Sequence, residues 1–183
     1  ATPFTEDTIV RIFSMTKPIT SVAAMILYEQ GCFQLDDPVA KYLPEFANTQ
    51  VWKGHGHGIE DVEPQHSPML IKHLLTHTSG LTYGFMNANA VDAAYRAQQL
   101  EFPGKAATLA EWVEDLASVP LLCQPGTQWN YSVATDVLGR LVEVWSHKEL
   151  ANFFNDHIFV PLVMRDTAFS VAPQNQSRFA ALY

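Results

Sequence analysis

Ser14 and Lys17 stand three residues apart in the stretch Ser14-Met15-Thr16-Lys17. On a helix that spacing puts both side chains on one face, with Cβ atoms about 5–6 Å apart. A serine hydroxyl is a weak nucleophile until a neighbour takes its proton. An ammonium beside it stabilises a nearby oxyanion, and a lysine whose pKa is lowered by burial becomes the base itself. A helix N-terminus adds positive potential and N–H donors at the same place. With nine Ser and six Lys among 183 residues, ~0.3 such pairs arise by chance, so the spacing alone decides little. The setting adds weight. The β-branched run Thr8–Ile12 reads as a strand leading directly into the pair. Pro18 is tolerated only in a first helical turn, so the helix must start close to Ser14 or Met15.

A second candidate is Tyr131, which follows the turn Pro125-Gly126 and precedes a long amphipathic segment. A phenol near a lysine ammonium is held toward phenolate, a competent general base. Tyr83, Phe85 and Trp129 are candidate walls of an apolar acyl pocket, against the simpler reading of ordinary loop packing. His77 and Ser79 suggest a Ser–His pair, but the helix-end context before Gly80 reads better as capping. No GxSxG elbow surrounds any serine. His55 and His57, with His66 and His73 further on, lack the fixed four-ligand set of a structural metal site. Cys32 and Cys123 have no CxxC spacing and read as two small core residues.

The elements that must position these groups follow from periodicity. Val22, Met25, Ile26 and Glu29 fall at helical spacing before a stop at Gly31. Leu35–Phe46 predicts a helix with Asp37 as N-cap and Pro38 first inside it, ending at Pro44. Residues Asn48–Pro68 read as a long irregular loop, and Met69–Thr76 as a short helix. Further helices are predicted at Asn89–Gln99, at Leu109–Ala117 with Thr108 as cap, at Ser132–Trp145 and at Glu149–Phe159. Thr167–Val171 reads as a second strand. The fold class is α+β, mainly a helical lobe with few strands.

Composition bounds the function. The chain is 48% hydrophobic and 16% charged, enough for one domain with a real core. A formal charge of −8 repels phosphate backbones, so nucleic acid is not expected as a partner. The apolar run Ile19–Tyr28 is too short to span a membrane. The opening residues show no basic stretch followed by an apolar core, so no signal peptide is read and the compartment stays open.

Taken together, SMTKPIT, LDDPVAKYLPEF, LLTHTSGLTYGF, PGTQWNYS and VLGRLVEV occur in the order seen in the serine β-lactamase and penicillin-binding-protein superfamily, whose S-x-x-K signature matches Ser14 and Lys17. The chain resembles its class C-related branch and, most closely, the family VIII carboxylesterases. The resemblance implies a β-lactamase/D,D-peptidase-like fold, Ser14 as the acylated nucleophile, Lys17 as its partner and Tyr131 as second base, with no cofactor. It implies an ester or β-lactam as small-molecule substrate. Val133 stands where a class C β-lactamase has Asn, which favours the esterase branch. The family's further strands, including one bearing K-T-G, H-x-G or W-x-G and supplying one oxyanion-hole N–H, are not found after Tyr131. Residues 1–183 are therefore expected to be an incomplete domain, weakly active and prone to associate when alone. The expected function is an acyl-enzyme serine esterase; the alternatives are a β-lactamase or D-alanyl-D-alanine carboxypeptidase, and a catalytically silent binding module.

Overall fold

A computed structural model describes residues 3–54, 56, 58–101 and 104–182. A single 3-10 turn at Phe13–Met15 runs into α1, Thr16–Glu29. Pro18 lies in the first turn of α1, where its missing N–H breaks no helical bond. The helix stops as its sequence predicts: Gly31 adopts φ +77°, and the Cys32 N–H donates to the Leu27 carbonyl at 3.0 Å. The remaining helices are α2 (Ile71–Leu75), α3 (Ala90–Ala97), α4 (Leu109–Ala117), α5 (Ala134–Ser146) and α6 (Leu150–Phe154), which continues as a π-helical turn over Asn155–Phe159.

Two of these helices begin on side-chain caps. Asn89 Oδ1 accepts the Asp92 N–H, and Thr108 Oγ1 accepts the Glu111 N–H while Glu111 reaches back to the Thr108 N–H. The second is a capping box that fixes where α4 starts.

α5 is the spine of the lobe and packs against α1, α2, α4 and α6. Its apolar stripe, Val137, Leu138, Leu141 and Val142, is fully buried. Gly139 lets three elements converge, since a Cβ there would meet Leu150 at 3.0 Å, with Leu109 and Thr20 close behind. Cys123 is buried, Cys32 half-buried, and both are free. Among the described residues no helix is long and apolar enough to cross a membrane.

The strands lie elsewhere than predicted. Thr8–Ile12 makes one parallel bridge, Ile9 to Phe179, before Ile12 turns into the 3-10 geometry. Thr167–Val171 forms no strand. The one two-stranded ribbon among the described residues lies inside the stretch read as irregular: β1 (Val51–Trp52) pairs antiparallel with β2 (Val62–Glu63). Two residues per strand are too few for alternation to be visible. Tertiary bonds hold the ribbon instead, through Trp52 N–H to Leu121 O and Leu121 N–H to Gln50 O.

Leu35–Phe46 is likewise not a helix but two 3-10 turns, Val39–Lys41 and Pro44–Asn48. Pro38 stays extended because the flanking backbone pairs with the start of α2, Val39 N–H to Met69 O and Ile71 N–H to Asp37 O. Asp37 accepts from Tyr42, the Gln34 N–H and Lys41, which together pull its carboxyl down to about 2.

The spine predicts how stability is distributed. Leu141→Ala removes a fully buried side chain and should cost about 2–5 kcal/mol. Val22→Ala, on the exposed face of α1, should change stability by less than about 0.5 kcal/mol. Urea unfolding of the two variants checks the contrast.

Candidate active site

Ser14 sits in the 3-10 turn ahead of α1 and is open to solvent. The residue before it, Phe13, adopts φ +43°. That left-handed conformation costs a non-glycine residue about 1–3 kcal/mol, and such outliers concentrate at functional sites. Lys17 lies one turn on. Its Nζ is 3.4 Å from Ser14 Oγ and donates to the Tyr83 hydroxyl at 2.9 Å. It also lies 4.7 Å from the centroid of the Tyr131 ring.

Tyr131 arrives from 117 residues away, and its hydroxyl is 2.6 Å from Ser14 Oγ. The segment that carries it is stitched to the loop after α2. Asn130 N–H donates to His77 O at 2.8 Å, Asn130 Nδ2 to Leu81 O at 2.9 Å and Val133 N–H to Thr82 O at 3.3 Å. Gly80 permits the approach. It has φ +86°, and a Cβ there would lie 2.3 Å from the Cys123 carbonyl oxygen. Buried Asp92 braces the other end, accepting from Thr82 Oγ1 and the Ala88 N–H, each at 2.8 Å.

The three residues read from sequence as nucleophile and bases therefore meet at one point, and of the three expected pocket walls Tyr83 and Phe85 line the cleft beside them whereas Trp129 does not. Tyr83 bonds Lys17, so it belongs to the polar cluster. Phe85 stacks on Tyr83 at 4.7 Å and lines the cleft. Trp129 is 69% exposed beside Tyr131, 6.5 Å between ring centroids, and lies outside the cleft lining. The cleft measures about 1530 Å³ and runs from Ser14 along α5, with Phe13, Leu109, Val144 and Phe169 among its apolar walls.

Two groups were missed by sequence reasoning. Asp136, in the first turn of α5, opens into the same cleft and lies within electrostatic reach of Lys17, Tyr83 and Tyr131. Its position five residues after Tyr131 was the available signal. His77, read as a helix-end cap, does end α2 but packs its ring 5.0 Å from that of Tyr131. No sequence signal linked them, because the contact crosses 54 residues of chain. Ser79 is buried away from solvent. His55 and His57 lie outside the described residues; among those described, no group of three or more His, Cys, Asp or Glu is placed to hold a metal ion.

Electrostatics divides the labour. Burial works against the Lys17 ammonium, but hydrogen bonding to Tyr83 and Tyr131 and their charge outweigh it and hold its pKa above the ordinary value. The lysine therefore stays charged, contrary to a reading in which burial makes it the base. Tyr131 is shifted the other way. Its hydrogen bond with Ser14 comes first, and the Lys17 charge adds to it, so the phenol lies below 10.0 despite some burial. Burial raises Tyr83. The protein walls of the cleft raise Asp136, with Lys17 opposing.

The profile of the beta-lactamase family matches residues 1–183. The chain belongs to the beta-lactamase family. It is 37% identical over 184 residues to Esterase EstB of Burkholderia gladioli, covering 99% of this chain and 43% of the relative. Among solved structures it resembles EstCE1, a hydrolase with promiscuous acyltransferase activity, at TM-score 0.80 and 30% identity, over 99% of this chain and 44% of that one. It also resembles the simvastatin synthase LovD of Aspergillus terreus at TM-score 0.77 and 28% identity, over 97% and 43%. The fold is thus β-lactamase-like, within a family of hydrolases and acyltransferases, and the chain spans less than half the length of these relatives.

The charge arrangement fixes the sign of two substitutions. Lys17→Met removes the cation beside Tyr131 and should raise its phenol pKa. Asp136→Asn removes an opposing carboxylate and should lower it further. Phenolate absorbance titrated against a Tyr131→Phe background reads both shifts.

Proposed function

We propose that the protein carrying this chain is a serine carboxylesterase that works through an acyl-enzyme on small or medium esters. The observation that carries the reading is the convergence on Ser14 Oγ of Tyr131 at 2.6 Å and Lys17 at 3.4 Å. Tyr131 acts as general base. Its phenolate takes the Ser14 proton as Oγ attacks the ester carbonyl, and the Lys17 ammonium stabilises that phenolate throughout. Collapse of the tetrahedral intermediate expels the alcohol, which leaves with the proton from Tyr131. Water then attacks the acyl group, Tyr131 takes a proton from it, and that proton returns to Ser14 Oγ as the acid departs. No cofactor enters the scheme. Phe85 and the apolar cleft residues would contact the acyl chain.

Val133 supports an ester over an amide. It is buried in the core, so no side-chain amide extends from this position toward a substrate amide. The name of EstB supports the same reading. A second reading keeps the first half-reaction and lets an alcohol replace water; EstCE1 and LovD support it by their described activities.

Fluorophosphonate labelling of the protein carrying this chain should place one adduct on Ser14. Ser14→Ala should abolish that adduct and lower hydrolysis of a short p-nitrophenyl ester by at least about 10³-fold. An adduct on Ser79 or Ser132 would overturn the assignment, and absence of any adduct would favour a silent binding module. Faster turnover of nitrocefin than of the ester would favour a β-lactamase.

A further inference from the structure

We infer that His77 is a positioning residue that holds Tyr131 in line with Ser14, an inference that rests on the role just proposed for Tyr131. His77 grips the segment on both sides of that tyrosine. Its carbonyl accepts the Asn130 N–H at 2.8 Å, and its Nδ1 lies 3.2 Å from Ser132 Oγ. Between these two anchors its ring packs against Tyr131, with 5.0 Å between centroids and 50° between planes. The three contacts fix the residue before the phenol, the residue after it, and the phenol ring.

The protonation state agrees with the geometry. Burial and then the Lys17 charge lower the imidazole pKa, which favours the neutral ring. Ser132, which is completely buried, accepts the Ala134 N–H on its oxygen at 3.3 Å. Its other close partner is Nδ1, so a neutral His77 with its ring proton on Nε2 gives the buried hydroxyl an acceptor. Ser132 has no solvent exposure, so despite its hydrogen bond to a histidine it is not open to substrate as a nucleophile.

The backbone points the same way. His77 ends α2 in the left-handed region, φ +54°, where glycine is the usual occupant. A histidine there is strained relative to glycine. The conformation turns the chain at the end of α2 and delivers the imidazole to Tyr131, whereas a glycine would serve only the turn.

The experiment compares His77→Phe, His77→Asn and Ser132→Ala with Tyr131→Phe in the protein carrying this chain. Phe keeps a ring but removes the acceptor, whereas Asn tolerates the left-handed conformation and offers Oδ1 in place of Nδ1. His77→Phe should lower kcat about 10- to 100-fold with KM nearly unchanged, as expected for a misaligned base. The Tyr131 phenol should move back up toward its ordinary pKa. Asn should restore kcat to within a few-fold of the parent. Ser132→Ala should resemble His77→Phe, and the double variant should be no worse than either single one. Unchanged kcat and an unmoved phenol in His77→Phe, with Tyr131→Phe inactive, would overturn the positioning role alone. Equal losses in the Phe and Asn variants, parallel to lost thermal stability, would overturn it in favour of a structural role. Full activity in Tyr131→Phe would instead overturn the reading of Tyr131 itself.

Discussion

One ammonium held between two phenols sets the terms for the rest of this site. Lys17 donates to Tyr83 and lies over the ring of Tyr131. Removing a cation from water is costly unless hydrogen bonds and opposing charge replace the lost hydration. Here the two hydroxyls supply them, and the lysine stays charged. That charge then lowers the pKa of two neighbours. It favours the phenolate of Tyr131 and disfavours a protonated His77. The same fixed cation favours charge on the phenol and disfavours it on the imidazole.

Such an arrangement works only if the phenols are delivered accurately, because neither is local to the lysine. Tyr83 comes from the loop after α2, and Tyr131 from the segment before α5. Those two pieces are tied to each other by backbone bonds from Asn130 and Val133 and by the His77–Ser132 pair. Gly84 is clamped in turn, its carbonyl by Arg96 and its N–H by Glu101.

The helical core explains why this framework holds its position. α5 begins three residues after Tyr131 and packs against four helices, α1 among them. α1 carries Lys17 in its first turn, so the α1–α5 contact sets the distance between Lys17 and Tyr131. The close approach at Gly139 lets Thr20 of α1 come near α5. Packing far from Ser14 is in this sense part of the site's geometry.

The sequence alone determined the elements whose signals are local. Pro18 and Gly31 bounded α1, Thr108 marked the start of α4, and the 3.6-residue stripe of α5 was legible from Val137 to Leu141. The Ser14–Lys17 pair was legible for the same reason, since i and i+3 on a helix need no tertiary information. The failures have one physical cause. Leu35–Phe46 carried helix-start signals, yet bonds to Met69 and Ile71 held Pro38 extended. β1 and β2 carried too few residues to signal, and the bridge from Val51 to Leu121 anchors β1 from outside the ribbon. Tyr131, Tyr83, His77 and Asp136 belong to one cluster only because the chain folds back over tens of residues. Through-space charge and cross-loop hydrogen bonds leave no periodicity in a sequence, so the partners of Lys17, and the protonation states they impose, were decided by the tertiary structure.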